Sequence, residues 1–187
     1  MKLVDLFEEE LPQNFDDIVE ILKRDCKQVI DKIENRFFLR GVRASSVPLA
    51  EFSKKNIRPD RKPMSTDPAM HHAMDNWFNE KFGFKARSAA LFTTGDFKDA
   101  RSYGAVYAIF PIGDFRFIWS EVIGDLFISM RDPERMGEIL DDANYKDTDL
   151  ESALSSGHEI MLSCKEYYAL RIRSQNDIEA LWQALKE

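Results

Sequence analysis

Cysteine, glycine and proline are scarce in this chain and positive charge is outnumbered by negative, and each shortfall removes a class of protein. Cys26 and Cys164 are the only cysteines among 187 residues, and each falls inside an apolar pattern. A disulfide scaffold is therefore not expected, and two buried, unreactive thiols are. Seven prolines and eight glycines, beside 44% hydrophobic and 32% charged residues, describe an ordinary globular chain rather than a disordered or fibrous one. No apolar run approaches the roughly 20 residues of a membrane span. The N-terminal MKLVDLFEEELP is too acidic for a signal peptide, so a cytoplasmic protein without a membrane partner is expected. Lys and Arg number 26 against 33 Asp and Glu, for a net charge of -7. That balance argues against broad electrostatic capture of nucleic acid and leaves room only for a local basic patch.

What is present is charged, helix-like sequence interrupted by a few β-rich runs. The length suits one α+β domain over residues 1–187, with residues 1–35 as a helical segment packed on it. Asn14 is a good N-cap, and Asp16 and Asp17 suit the positive end of a helix. Phe15, Ile18, Val19, Leu22, Cys26, Val29, Ile30 and Ile33 recur at helical spacing and predict one long amphipathic packing helix. The run Arg36 to Val42 has strand composition, and Arg40 closes it just before Gly41. An arginine there is either a solvated edge charge or a fork that grips phosphate. Residues 43–66 read as a long connection, with a short helix expected around Leu49 to Lys55. Lys54, Lys55, Arg58, Arg61 and Lys62 form a basic cluster in it, either a solvated loop or an attractor of an anionic substrate. Ser65-Thr66-Asp67-Pro68 opens a helix carrying Met70, Met74, Trp77, Phe78 and Phe82, which Gly83 ends. Its adjacent His71 and His72 point about 100° apart, so no metal site is expected there.

The stretch from Arg87 to Ser120 organises the rest. Ala89 to Phe92 reads as a short buried strand, broken by the hydroxyls of Thr93 and Thr94 and by Gly95, a residue free to adopt positive φ. Asp96 to Tyr103 is a brief helix closed by Gly104. Ala105–Phe110 and Phe115–Trp119 predict an antiparallel hairpin around Pro111-Ile112-Gly113-Asp114, which excludes a doubly wound parallel sheet. Leu126 to Met130 is expected as a further strand, while Asp132-Pro133 and Asp149-Leu150 start short helices, the second ended by Ser156-Gly157. His158 to Cys164 alternates, with Glu159, Met161 and Ser163 on one face. A turn at Lys165-Glu166, a strand from Tyr167 to Ile172 and a last helix capped by Ser174 or Asn176 complete the chain.

Three pieces stand out together: Phe38-Leu39-Arg40-Gly41, Leu91-Phe92-Thr93-Thr94-Gly95 followed by Ala100 to Tyr103, and Ser156-Gly157-His158-Glu159-Ile160-Met161-Leu162. In that order they resemble the ADP-ribosyltransferase superfamily, in the branch defined by an arginine, a Ser-Thr-Ser corner and a glutamate. The wider run from residue 36 to 172 is similar to bacteriophage-encoded proteins. The resemblance implies split antiparallel sheets around a cleft, with N- and C-terminal packing helices. It also implies a mono-ADP-ribosyltransferase or NAD glycohydrolase that takes NAD as substrate and passes ADP-ribose to a macromolecular acceptor, protein or nucleic acid, during infection. On that pattern Arg40, with Gly41 beside it, holds the phosphate or ribose of NAD. Thr93 and Thr94 fix the strand geometry, Glu159 is the catalytic contact to the ribose hydroxyl, and Tyr103 or Phe97 stacks on the nicotinamide. Two departures bear on activity. The corner lacks its leading Ser, and Gly157 stands two residues before Glu159, where arginine-modifying members carry Glu or Gln. An acceptor other than arginine fits this, and so does a non-catalytic binding or virion protein that engages a host or phage partner.

Overall fold

The computed structural model describes residues 11, 12, 14–43, 50–62, 66–126 and 133–187. The expected strand beyond Leu126 lies outside them, as do Ser65 and Asp132. Helix ends follow their local signals. Asn14 accepts from the Asp17 N–H at 2.9 Å and starts α1, Phe15–Asp25. The predicted single helix is in fact two, because Cys26, at φ -115° and ψ 21°, separates α1 from α2, Lys27–Ile30. Both pieces keep their apolar side down, and Cys26 is fully buried with Sγ 3.7 Å from the Phe110 carbonyl. Burial pushes Cys26 and Cys164 up to about 12, so neither is a thiolate at neutral pH.

Strand β1, Phe38–Val42, comes next, and the helix expected around Leu49 to Lys55 is instead β2, Phe52–Asn56. Only Phe52 of β2 is buried, stacked on Tyr168 at 5.0 Å, while Lys54 and Lys55 stay exposed on what is an outer strand. Lysines along an unpaired edge discourage pairing with another chain, which is why so polar a run can be a strand. Asp67 caps α3, Pro68–Phe82, and Gly83 closes it at φ 76°. Strand β3, Leu91–Thr93, leads to α4, Phe97–Ser102, capped by Asp96.

The predicted hairpin at 105–119 is a single strand, β4, Ala105–Ser120. After it come α5, Met136–Asp142; β5, Tyr145–Lys146; α6, Leu150–Ser156; β6, Ile160–Ile172; and α7, Gln175–Lys186, capped by Ser174. The turn expected at Lys165-Glu166 is likewise continuous strand. Both halves of β4 pair with β6, from Val106 opposite Ile172 to Trp119 opposite Ile160. Register shifts once, between Ile112 and Phe115, where Gly113 and Asp114 stand opposite Lys165 and Gly113 takes φ 70°. Turn-forming residues here build a β-bulge rather than a reversal.

The sheet has six strands, and the pairings described are antiparallel. Long β4 and β6 lie at its centre. β1 and β2 flank one half of that pair, and β5 and β3 flank the other. Leu39 and Thr94 then exchange both backbone hydrogen bonds, at 2.7 and 2.9 Å, so the circuit β1–β4–β6–β3 closes on itself. Side chains alternate between two cores. Trp119, Ile160 and Leu162 join Leu22, Phe37, Phe110 and Leu181 in the first, while Ile118 and Met161 join Met74, Phe78, Leu126 and Leu140 in the second. Fully burying one such side chain contributes about 1.5–3 kcal/mol. No helix among the described residues is long and apolar enough to cross a membrane.

Candidate functional site

The three sequence motifs meet at β3. Leu39 bridges Thr94, and on the next residue the Arg40 Nη1 donates to the Phe92 carbonyl at 3.0 Å. The Thr93 hydroxyl donates to the Ile160 carbonyl at 3.1 Å, and the Thr94 hydroxyl donates to the Gly157 carbonyl at 2.9 Å while accepting from the Asp96 N–H. Both threonines thus brace the segment that carries Glu159. From the other side, Glu159 N–H donates to the Gly124 carbonyl at 2.7 Å, and His158 Nδ1 donates to the Ser120 carbonyl at 2.8 Å. Gly95 is required by a close approach, not by its φ: a Cβ there would stand 1.8 Å from the Leu154 carbonyl oxygen.

Other residues singled out by resemblance fall around this centre. A Cβ on Gly41 would meet the Ala100 carbonyl oxygen at 1.9 Å and the Tyr103 Cβ at 2.7 Å, so α4 rests directly on β1 there. Tyr103 is half-exposed and donates its hydroxyl to Asp125 at 3.2 Å. Phe97 lines a separate groove of about 420 Å³ with Arg36, Phe37 and Lys98, and Glu159 does not border it. Gly157, at φ 74°, ends α6, and its carbonyl is the one held by Thr94.

Glu159 sits among opposing charges. Arg87 Nη1 is 3.5 Å from its Oε1, and the Leu126 backbone N–H donates to the carboxylate. Burial nevertheless pushes Glu159 up to about 7; Asp125 adds to that rise, while Arg87 and Arg61 oppose it. The guanidinium carbons of Arg61 and Arg87 lie 4.1 and 4.7 Å from the centre of the Phe92 ring. Arg61 is an exposed residue whose guanidinium lies against that ring. Burial of that group, then repulsion from Arg40 and Arg87, lowers its pKa to about 10. Arg40, too, is lowered by burial. Two guanidinium charges held against one ring repel by about 2 kcal/mol at an effective dielectric near 20.

Asp75 holds this arrangement in place. Its Oδ1 accepts from the backbone N–H groups of Arg87, at 2.8 Å, and Ser88, at 3.0 Å, and its Oδ2 accepts from the Ser88 hydroxyl. The Ser88 carbonyl in turn accepts from the Arg61 N–H at 3.2 Å. His71 Nε2 lies 3.1 Å from Ser88 Oγ and 3.6 Å from Asp75 Oδ2, and burial lowers its pKa, so it is a neutral imidazole at pH 7. Among the described residues no group of three His, Cys, Asp or Glu is placed to hold a metal ion.

Sequence reasoning singled out Arg40, Thr93, Thr94 and Glu159 but not Arg87, Asp75 or Asp125. A signal for Asp75 exists. The buried face of α3 is His71, Met74, Asp75 and Phe78; Met74 and Phe78 of the expected stripe lie on it, while Met70, Trp77 and Phe82 are only partly buried, and an acidic residue at helical spacing on a buried face needs a partner. No protein-family model matches the chain, and neither a curated protein nor a solved structure matches it significantly.

Proposed function

We propose that the β3 cluster is the NAD site of a mono-ADP-ribosyltransferase or NAD glycohydrolase. One observation carries the reading: Arg40 and the Gly157–Ile160 segment that carries Glu159, far apart in sequence, are both held to β3 and its Thr93–Thr94 corner by hydrogen bonds and strand pairing. In this chemistry the bond between the ribose carbon and the nicotinamide nitrogen breaks, and the bonding pair leaves with nicotinamide. Positive charge develops on the sugar. An ionised Glu159, half-buried and oriented by Leu126 N–H and Arg87, is a preorganised negative group of the kind that stabilises such charge. Water or an acceptor nucleophile then bonds to the ribose carbon and gives up a proton. Because Glu159 works as the carboxylate and titrates near 7, activity rises with pH through that value.

The test is release of free nicotinamide from NAD by the wild-type chain and by Glu159→Gln. Losing a transition-state electrostatic contact costs on the order of 100-fold in rate or more. Equal, background-level release from both proteins would sink the catalytic reading and leave a binding protein.

A further inference from the structure

We infer that Arg61 and Arg87 form a two-armed site for a diphosphate group, with Arg40 serving as a strut and not as the phosphate grip. The inference rests on the NAD reading for placing that diphosphate in a dinucleotide. The cluster itself asks for an anion.

Arg87 supplies the first reason. Its side chain is 9% exposed, its Nε is buried without a hydrogen-bond partner, and its ion pair with Glu159 is long, at 3.5 Å. A guanidinium so deeply placed normally fills its donor positions, and Arg87 does not fill all of its own, which leaves its charge short of partners that an oxyanion supplies. Arg61 supplies the second. Its guanidinium carbon and that of Arg87 lie over one aromatic ring, so they are no farther apart than the sum of 4.1 and 4.7 Å. That upper limit is within the reach of a diphosphate, whose two phosphorus atoms each offer oxygens to a fork.

The backbone underneath is fixed for this purpose. Asp75 ties down the Arg87 and Ser88 N–H groups, and Ser88 ties down Arg61, so both arms start from one stitched base. Charge points the same way: Arg61 is repelled by both Arg40 and Arg87, with Glu159 the carboxylate that acts on it. Arg40 is engaged differently. Its Nη1 is bound to the Phe92 carbonyl, which pins the strand carrying the ring that both other arginines use.

The experiment titrates inorganic pyrophosphate, and separately inorganic phosphate, into the full chain by calorimetry at constant ionic strength. It is repeated on Arg61→Gln, Arg87→Lys and Arg58→Gln, with circular dichroism reporting folding. Arg58 is exposed, pairs with Asp60 at 3.3 Å, and controls for loop charge. Expected are pyrophosphate binding tighter than phosphate binding, a loss of about tenfold or more in Arg61→Gln and in folded Arg87→Lys, and no change in Arg58→Gln. No pyrophosphate binding by the wild type, or equal losses in Arg61→Gln and Arg58→Gln, would overturn the site. Arg61 is exposed, so its variant keeps the test decisive if Arg87→Lys does not fold. Nicotinamide release separates the two readings. Arg61-dependent pyrophosphate binding without NAD cleavage retains this site and removes the catalytic one. NAD cleavage with an unchanged KM in Arg61→Gln does the reverse.

Discussion

The two cores on either side of the β4–β6 sheet are built from different material. The first, under α1, α2 and α7, is a dry assembly of Leu22, Cys26, Phe37, Phe110 and Leu181. Around α3 and the end of β4, by contrast, lie the buried polar and charged residues His71, Asp75, Arg87 and Ser120. Apolar burial stabilises wherever it occurs, but buried polar groups cost free energy unless each is bonded, so they persist where position matters. Most of these are bonded: Asp75 to two backbone N–H groups and a hydroxyl, Ser120 to the Val122 and Ile123 N–H groups. Arg87 Nε and His71 Nδ1 are the exceptions among the described residues. The first side holds the protein together, and the second holds side chains still.

Three substitutions test that division, in descending size of effect. Phe110→Ala empties a fully buried position in the first core and should lower stability by about 3–5 kcal/mol in denaturant titration. A loss under about 1 kcal/mol would mean the first core is not the stabilising one. Glu159→Gln should do the opposite. A carboxyl raised to about 7 in the fold from an ordinary value of 4.5 adds most to stability below 4.5, and that contribution is lost as pH rises through 7. At pH 8 the wild type therefore carries a burial penalty of up to roughly 3 kcal/mol, which glutamine relieves. The variant should melt higher than wild type at pH 8 and match it near pH 4; an equal difference at both values would disprove the raised carboxyl. Thr94→Val is the mildest change. It removes the hydroxyl bonded to Gly157 and should cost about 1 kcal/mol in melting experiments, with a larger proportional loss of nicotinamide release if the corner positions Glu159. Unchanged release would detach the corner from the site.

What the sequence made legible was local. Asn14, Asp67-Pro68, Gly83 and Ser174 mark helix ends because a cap satisfies its own helix within three residues. Glu159, Arg40 and the threonines could be placed near one another only through the resemblance. The hairpin expectation failed because Pro111 to Asp114 has the residues of a turn and a G-type bulge uses the same ones; only the length of β6, about fifty residues later in the chain, decides between them. The α1–α2 break failed for a related reason, since a stripe at helical spacing survives a kink that keeps both pieces on one surface. Arg61 was visible as one of five basic residues, yet nothing local separates it from Arg58. Its distinction is the Phe92 ring, supplied from thirty-odd residues away by tertiary packing.

The Leu39–Thr94 bridge also bears on how the molecule is made. It joins a residue early in the chain to one near its middle, and the strand beside it pairs with Ile160 later still. Contacts of such long sequence separation form slowly, because loop closure must precede any gain from pairing. During synthesis the arginines and threonines emerge well before β6, and until β6 follows there is neither a strand for β3 to pair with nor a Glu159 for Arg87 to face. The pairing of β3 and the Arg87–Glu159 contact therefore both wait for β6, the last strand of the sheet to be made.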